Sequence, residues 1–317
     1  MDESTRYGDF QPESVVESIL HSRLKESHKV IAVDTIDTTA HFLSPIDLYK
    51  TDKPYSLRFA PPDGFPRQST KLEEHKIEVR DVRKSGPLSF AKEGCTVLQV
   101  NTQMNYEDYE DENKVKNIYL REVSLLLRQF FGATKVQIFE HRVRKRHVNF
   151  PIATGELYEY DQPTSVVHVD TTLEWVLSMV SRLNPEHAED MLKYRVQCVN
   201  VWKPINGPVK DWPLALCSAR TIDPAKDLEP CDLVYPDYVV ENMQVYHRDQ
   251  QQWFYMSDQM PDEAWVFLQA DTKPEAVPVP HVAIPLPEIR SENWSPRESI
   301  ECRALVYYGA NQKDGLN

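Results

Sequence analysis

Glycine is scarce in this chain, and its distribution excludes more folds than any other feature. Of 317 residues only nine are glycine, and none stands in a GxG arrangement. A Rossmann dinucleotide site and a P-loop both need a glycine-rich turn whose backbone approaches phosphate, so neither is expected. A cofactor-loop methyltransferase is disfavoured on the same ground. Proline, by contrast, is plentiful at 23 and cuts the chain into short segments. Many short strands between proline-containing turns point to a sandwich or barrel.

Charge and apolar content narrow the function classes. The net charge of −13 argues against a nucleic-acid partner, because phosphate binding needs clustered cations. No apolar run approaches the length of a membrane-spanning helix, and Met1-Asp2-Glu3-Ser4 lacks the basic and apolar regions of a secretory signal. The expected address is cytoplasmic. The five cysteines, Cys95, Cys198, Cys217, Cys231 and Cys302, form no CxxC pair and read as free, mostly buried thiols.

Along the chain, Ser14 to Leu24 has helical spacing, Asp34 to Thr39 reads as a turn, and Pro54 to Pro66 as a loop. His75 to Arg83 alternates as a strand. The clearest helix runs from Asp111 to Phe131, with Tyr119, Val123, Leu126, Leu127 and Phe130 on one stripe and Gly132 as its stop. Lys135 to Arg144 follows as a strand. Thr171 or Thr172 caps a second helix through Leu183, and a short one ends near Met191. Strands are expected at Val196–Trp202, Leu214–Cys217, Val239–Tyr246, Gln252–Met256, Ala264–Leu268, His281–Ile284 and Ser299–Tyr308. The expectation is one domain over 1–317, mainly β with flanking helices, with 1–70 an extension packed on the barrel.

His168-Val169-Asp170 lies where a strand ends and a helix begins. Positions i and i+2 of a strand face the same way, so both side chains can face a barrel interior. His281, on a distant strand, can complete a face of two imidazoles and one carboxylate. That ligand set leaves three positions of a non-haem Fe(II) open for cosubstrate and O2. His247-Arg248-Asp249 is the rival HxD, but its polar surroundings suit a hairpin turn better. His187-Ala188-Glu189 suits a solvated face. His141 and His147 flank a basic run, read either as a solvated edge or as a positive mouth for an anionic substrate.

Arg297, Ser299, Glu301 and Arg303 share one face of the last strand, and Ile300, Cys302, Ala304 and Val306 the other. A guanidinium presents a fork of donors that fits a carboxylate, and a serine two residues on adds another hydrogen bond. Arg297 with Ser299 is therefore the better anchor for a 2-oxoacid; Arg303 and Arg290 are the fallbacks. An ion pair with Glu301 is the bland role for Arg303. Candidate walls of the substrate pocket are Tyr158, Trp175, Trp202, Phe254 and Trp265, with Arg144 from the basic run.

Four segments carry a resemblance: His168-Val169-Asp170-Thr171-Thr172, Asn200-Val201-Trp202-Lys203-Pro204, Pro280-His281-Val282-Ala283 and Arg297 through Val306. They resemble the fungal gibberellin desaturase and aspergillic-acid-type hydroxylase/desaturase family, which includes a component of bacterial cephalosporin methoxylation. The likeness runs from about residue 50 to the C-terminus. It implies a double-stranded β-helix (jelly roll, cupin-like) core and Fe(II)/2-oxoglutarate-dependent oxidation of a small natural-product intermediate by O2, with release of succinate and CO2. By position it implies His168, Asp170 and His281 as iron ligands, Arg297, Ser299 and Asn200 on 2-oxoglutarate, and Asn200 and Trp202 on a shared segment near the pocket. Lys203 replaces the expected arginine and Cys302 the usual valine. Two other readings stay open: a cupin-like metal enzyme without 2-oxoglutarate, and a non-catalytic β-barrel interaction protein.

Overall fold

The computed structural model describes residues 35–152, 158–286 and 295–309. Its strands, in chain order, are β1 (Thr35–Leu43), β2 (Tyr55–Leu57), β3 (Leu72–Asp81), β4 (Cys95–Gln99), β5 (Lys135–Lys145), β6 (His168–Val169) and β7 (Val196–Pro204). They continue with β8 (Leu214–Cys217), β9 (Leu228–Val234), β10 (Val239–Val245), β11 (Trp253–Tyr255), β12 (Glu263–Asp271), β13 (His281–Ala283) and β14 (Glu298–Tyr307). A nine-stranded sheet runs in the order β1-β3-β11-β8-β13-β6-β10-β9-β2, and a five-stranded sheet in the order β4-β12-β7-β14-β5. Neighbouring strands are mostly far apart in sequence, as in a jelly roll, and the inner faces of the two sheets enclose the site.

Period-two patterning decides which residues face inward. On β14, Ile300, Cys302, Ala304 and Val306 join one apolar cluster with Val199 and Val201 of β7. That outer face is covered by helix α1 (Leu120–Phe131), whose Val123, Leu127 and Phe131 are buried in the same cluster. The preceding Val115–Tyr119 segment is a wider π turn, so the single helix expected from Asp111 is interrupted. Val115 and Tyr119, at its two ends, are both buried in the core. Gly132 ends α1 in the left-handed conformation, at φ 61°.

Helix α2 (Leu173–Leu183) begins at Thr172, whose hydroxyl accepts from the Trp175 amide, and Asn184 ends it. Helix α3 (Ala188–Met191) follows. Val176 and Val180 of α2 pack on Val196, Cys198, Ala270 and Leu305, pinning the helix to the small sheet.

Three expectations are corrected. The segment Asp34 to Thr39 is not a turn: Thr35 onward is β1, paired antiparallel with β3 from Thr35↔Arg80 to Leu43↔Leu72. Its β-branched threonines and Ile36 suit a pleated surface better than the aspartates suit a turn. The Pro54 to Pro66 segment contains β2, parallel to β9. The strands around His247 form no hairpin: β10 pairs with β6 and β9, whereas β11 pairs with β8 and β3. Within 35–70, β1 and β2 form the two outer edges of the large sheet. The helix expected at Ser14 to Leu24 lies outside the described residues. All five cysteines are free and buried.

Candidate metal centre

β6 and β13 lie side by side with His281 opposite His168, so two residues remote in sequence present their imidazoles to one point. The strand stops after Val169, and Asp170 turns inward before the helix cap. Ligand atoms of His168, Asp170 and His281 all lie within 4.8 Å of one another. The Nε2 atoms of His168 and His281 stand 3.4 and 3.6 Å from the Asp170 carboxylate.

The surroundings prepare these atoms to act as ligands. His168 Nδ1 donates to the Val166 carbonyl at 2.8 Å, and His281 Nδ1 faces the Val279 carbonyl at 3.4 Å. Each ring thereby turns Nε2 toward the centre. Burial pulls the His281 pKa down to about 3, and the neighbouring His168 adds to this, so its imidazole is neutral and its lone pair available. Burial opposes ionisation of Asp170, but Arg303, His281 and His168 outweigh it and hold the carboxyl well below the usual range. The Asp170 amide donates to Gln269 Oε1 at 2.7 Å, fixing the backbone beside this carboxylate.

Behind the centre, β7 and β14 supply a polar lattice. Asn200 Nδ2 donates to Asp170 Oδ2 at 2.5 Å and to Glu301 Oε1 at 2.6 Å. The Asn200 amide nitrogen is therefore spent on carboxylates, and its Oδ1 is buried without a partner. Arg303 reaches Asp170 at 3.3 Å and Glu140 at 3.1 Å. Its ion-pair partners are thus Asp170 and Glu140, in place of the Glu301 pairing read from sequence. Burial, then the Asp170 charge, raises the Glu301 carboxyl above its usual range.

Arg297 and Ser299 stand at the other end of this face, 4% and 1% exposed. Arg297 Nη1 donates to the Trp212 carbonyl at 2.5 Å, and the guanidinium lies over the Trp202 ring at 5.3 Å. Arg297 Nε and Ser299 Oγ are buried with no hydrogen-bond partner. Arg303 Nε on the same face is likewise without a hydrogen-bond partner, but Arg303 has ion-pair partners, so the adjacent Arg297 and Ser299 best mark a place for an external acceptor such as a carboxylate. Arg290 lies outside the described residues.

A cavity of about 870 Å³ opens from His168 and Asp170. Of the predicted pocket residues, Trp175 and Arg144 line it. Trp202, Trp265 and Phe254 are buried in the main apolar cluster and do not line it. Tyr158 packs on His147, with ring centroids 5.0 Å apart, and is likewise absent from the lining. His247 is stacked on His75 at 4.2 Å, away from the His168–Asp170–His281 group. The wall contributed by β2, β9 and β10, including Ser56, Leu233, Asn242 and Gln244, was missed from sequence. Its signal was the inward polar alternation of Asn242 and Gln244.

A family profile described as an oxidoreductase/YMDC permease-like domain matches residues 41–307. The Fe(II)/2-oxoglutarate-dependent dioxygenase nvfI of Aspergillus novofumigatus is 30% identical over 261 residues, covering 80% of this chain and 90% of that protein. The hydroxylase/desaturase CTB9 of Cercospora beticola is 30% identical over 286 residues, covering 81% and 86%. The alpha-ketoglutarate-dependent dioxygenase tstK of Talaromyces stipitatus is 28% identical, covering 83% of this chain and all of that one. The solved structure of the iron and alpha-ketoglutarate-dependent endoperoxidase NvfI superposes with a TM-score of 0.76 at 26% identity, covering 87% and 98%. The chain belongs to the aspergillic-acid-type hydroxylase/desaturase family of Fe(II)/2-oxoglutarate-dependent dioxygenases.

Proposed function

We propose that His168, Asp170 and His281 hold the ferrous iron, that Arg297 and Ser299 bind the far carboxylate of 2-oxoglutarate, and that substrate lies in the cavity beside Trp175 and Arg144. The observation that carries this reading is a coincidence in space. Two imidazoles and a carboxylate converge within 4.8 Å, and the inner face of β14 holds the orphaned Arg297 Nε and Ser299 Oγ. Iron held there would supply, with 2-oxoglutarate and O2, the oxidising power to break an unactivated C–H bond, with succinate and CO2 as the coproducts.

The protein's share is positioning. Asp170 is held ionised by Arg303 and steadied by Asn200, so the carboxylate keeps one orientation. Carbonyls of Val166 and Val279 hold the two imidazole rings in place. Trp175 and Phe139 wall the cavity and hold substrate against the centre. Placement of the target carbon would select hydroxylation or desaturation, and the Asp170 carboxylate in the ligand set would disfavour halogenation. The profile match over 41–307 supports one oxygenase domain. We assign the enzyme to the cytoplasm, in keeping with its five buried free thiols. Among the described residues, no helix is long and apolar enough to cross a membrane.

The test is anaerobic addition of Fe(II), then 2-oxoglutarate, to the metal-free protein with a visible spectrum after each. A weak charge-transfer band that needs both additions is the expected result. Bound iron without the band would favour a cupin-like enzyme that does not use 2-oxoglutarate. Failure to bind iron would overturn the ligand set and favour a non-catalytic barrel.

A further inference from the structure

The cavity lining mixes arginines and carboxylates, but the two are not evenly paired. Among the described residues, five arginines face it: Arg58, Arg142, Arg144, Arg182 and Arg303. Its carboxylates are already engaged inside the protein. Asp161 pairs with Arg142 at 2.6 Å, Glu140 with Arg303 at 3.1 Å, Asp170 with Arg303 at 3.3 Å, and Glu301 accepts from Asn200 at 2.6 Å. Arg144 donates to the Gln162 carbonyl at 3.1 Å. Arg58 and Arg182 have no ion-pair partner among the described residues, and both are exposed at the outer part of the cavity.

Two unrelated elements deliver these two cations to one space. Arg58 follows β2, where its amide donates to the Val234 carbonyl at 2.8 Å. It shares the inward side with Ser56, and its charge is felt by the Cys231 thiol in the same wall. Arg182 is in the last turn of α2, on the face that also presents Trp175 and Met179 to the cavity. A helix rises 1.5 Å per residue, so Arg182 lies about 10 Å beyond Trp175 along the axis, away from the cap next to Asp170. A cation in a last helical turn is ordinarily explained by the helix dipole. That explanation does not extend to Arg58, on a separate strand opening onto the same cavity. The same cavity also presents the apolar side chains of Trp175, Met179, Leu233 and Val240, beside polar ones such as Thr70, Asn242 and Gln244.

We propose, resting on the iron-site reading above, that the substrate is an elongated amphipathic carboxylate, its anionic end held by Arg58 and Arg182 and its apolar body laid along Trp175, Met179 and Leu233 toward the metal centre. The carboxylate is a recognition handle remote from the oxidised carbon, and it fixes which end of the molecule enters first. A neutral isostere leaves the outer cations without a counter-charge and binds in more than one direction.

The proposal is tested on protein reconstituted anaerobically with Fe(II) and 2-oxoglutarate, using 1-pyrenebutyrate and the uncharged 1-pyrenebutanol as matched probes. Fluorescence anisotropy reads binding, and the charge-transfer band reads the iron site separately. The expected result is saturable binding with about tenfold or greater preference for the anion, the worth of one charge-assisted contact. Raising ionic strength should erode that preference. Arg58→Gln and Arg182→Gln should each remove most of it while leaving the charge-transfer band in place. Equal affinity for the two probes, no saturable anion binding, or a preference that survives the double variant overturns the proposal. A missing band in the wild-type protein counts against the iron site instead, and the anisotropy result still decides the anion site.

Discussion

Arg297 and Arg303 share one face of β14, yet their surroundings divide their roles. Arg297 meets a carbonyl and an indole ring, with no carboxylate in ion-pair contact among the described residues. Desolvation pulls its pKa down to about 9, so it remains a cation at neutral pH. Arg303 is locked between Asp170 and Glu140, whose charges outweigh the cost of its burial and keep it fully protonated. Arg297→Ala should therefore raise the 2-oxoglutarate Kd by about tenfold or more without loss of iron, as read by titrating the charge-transfer band. An unchanged Kd would move the anchor elsewhere. Arg303→Met leaves the Asp170 carboxylate without its cation and should destabilise the fold by about 3 kcal/mol in denaturant unfolding. His168→Ala should abolish iron retention, checked by metal analysis after desalting.

Two element ends carry more than their sequence suggests. Thr172 caps α2 and also donates to Glu241 at 2.5 Å, tying the helix start to β10. Thr172→Ala should cost about 1 kcal/mol of stability. Because α2 carries Trp175, the same change should raise substrate KM more than it disturbs iron binding. At the end of β7, Lys203 is buried, 1% exposed. Its ammonium donates to the carbonyls of Pro204 and Pro261 and faces the rings of Tyr109 and Tyr119 at 5.0 and 5.5 Å. Desolvation nevertheless lowers its pKa from 10.5 to about 8. Between those two pH values the unfolded chain holds a proton that the folded one has released. The cost of burying the charge is thus fully present below pH 8 and is relieved as pH rises toward 10.5. Lys203→Met should match or exceed wild-type stability at pH 7, with the gain shrinking by pH 10 in thermal unfolding. A variant that is markedly less stable at pH 7 would show that the carbonyl and ring contacts outweigh the desolvation.

At the scale of the molecule, two sheets close on each other and bury the sites between them. The five thiols are part of that interior, and burial raises the pKa of each. Alkylation of the native protein by iodoacetamide should therefore be slow at all five, and global unfolding should release them together. Rapid labelling of one cysteine alone would reveal local opening there. Local features were the legible ones. His168 and Asp170 could be placed on one side because strand periodicity is a property of neighbouring residues, and the Thr172 cap and the Gly132 stop are equally local. The β1 strand was hidden by aspartates that resemble a turn, and the false hairpin at His247 arose because adjacency in sequence was taken for pairing. Trp202, Phe254 and Trp265 were named as pocket walls because aromatic residues suit both core and pocket, and only their neighbours distinguish the two. The family likeness and the ligand candidates were determined by sequence alone, since residue type and short spacing specify both. Which strands meet, which arginines lose their partners, and which wall completes the cavity were decided by tertiary structure. Those properties depend on long-range strand order, where loop-closing geometry and burial outweigh any local preference.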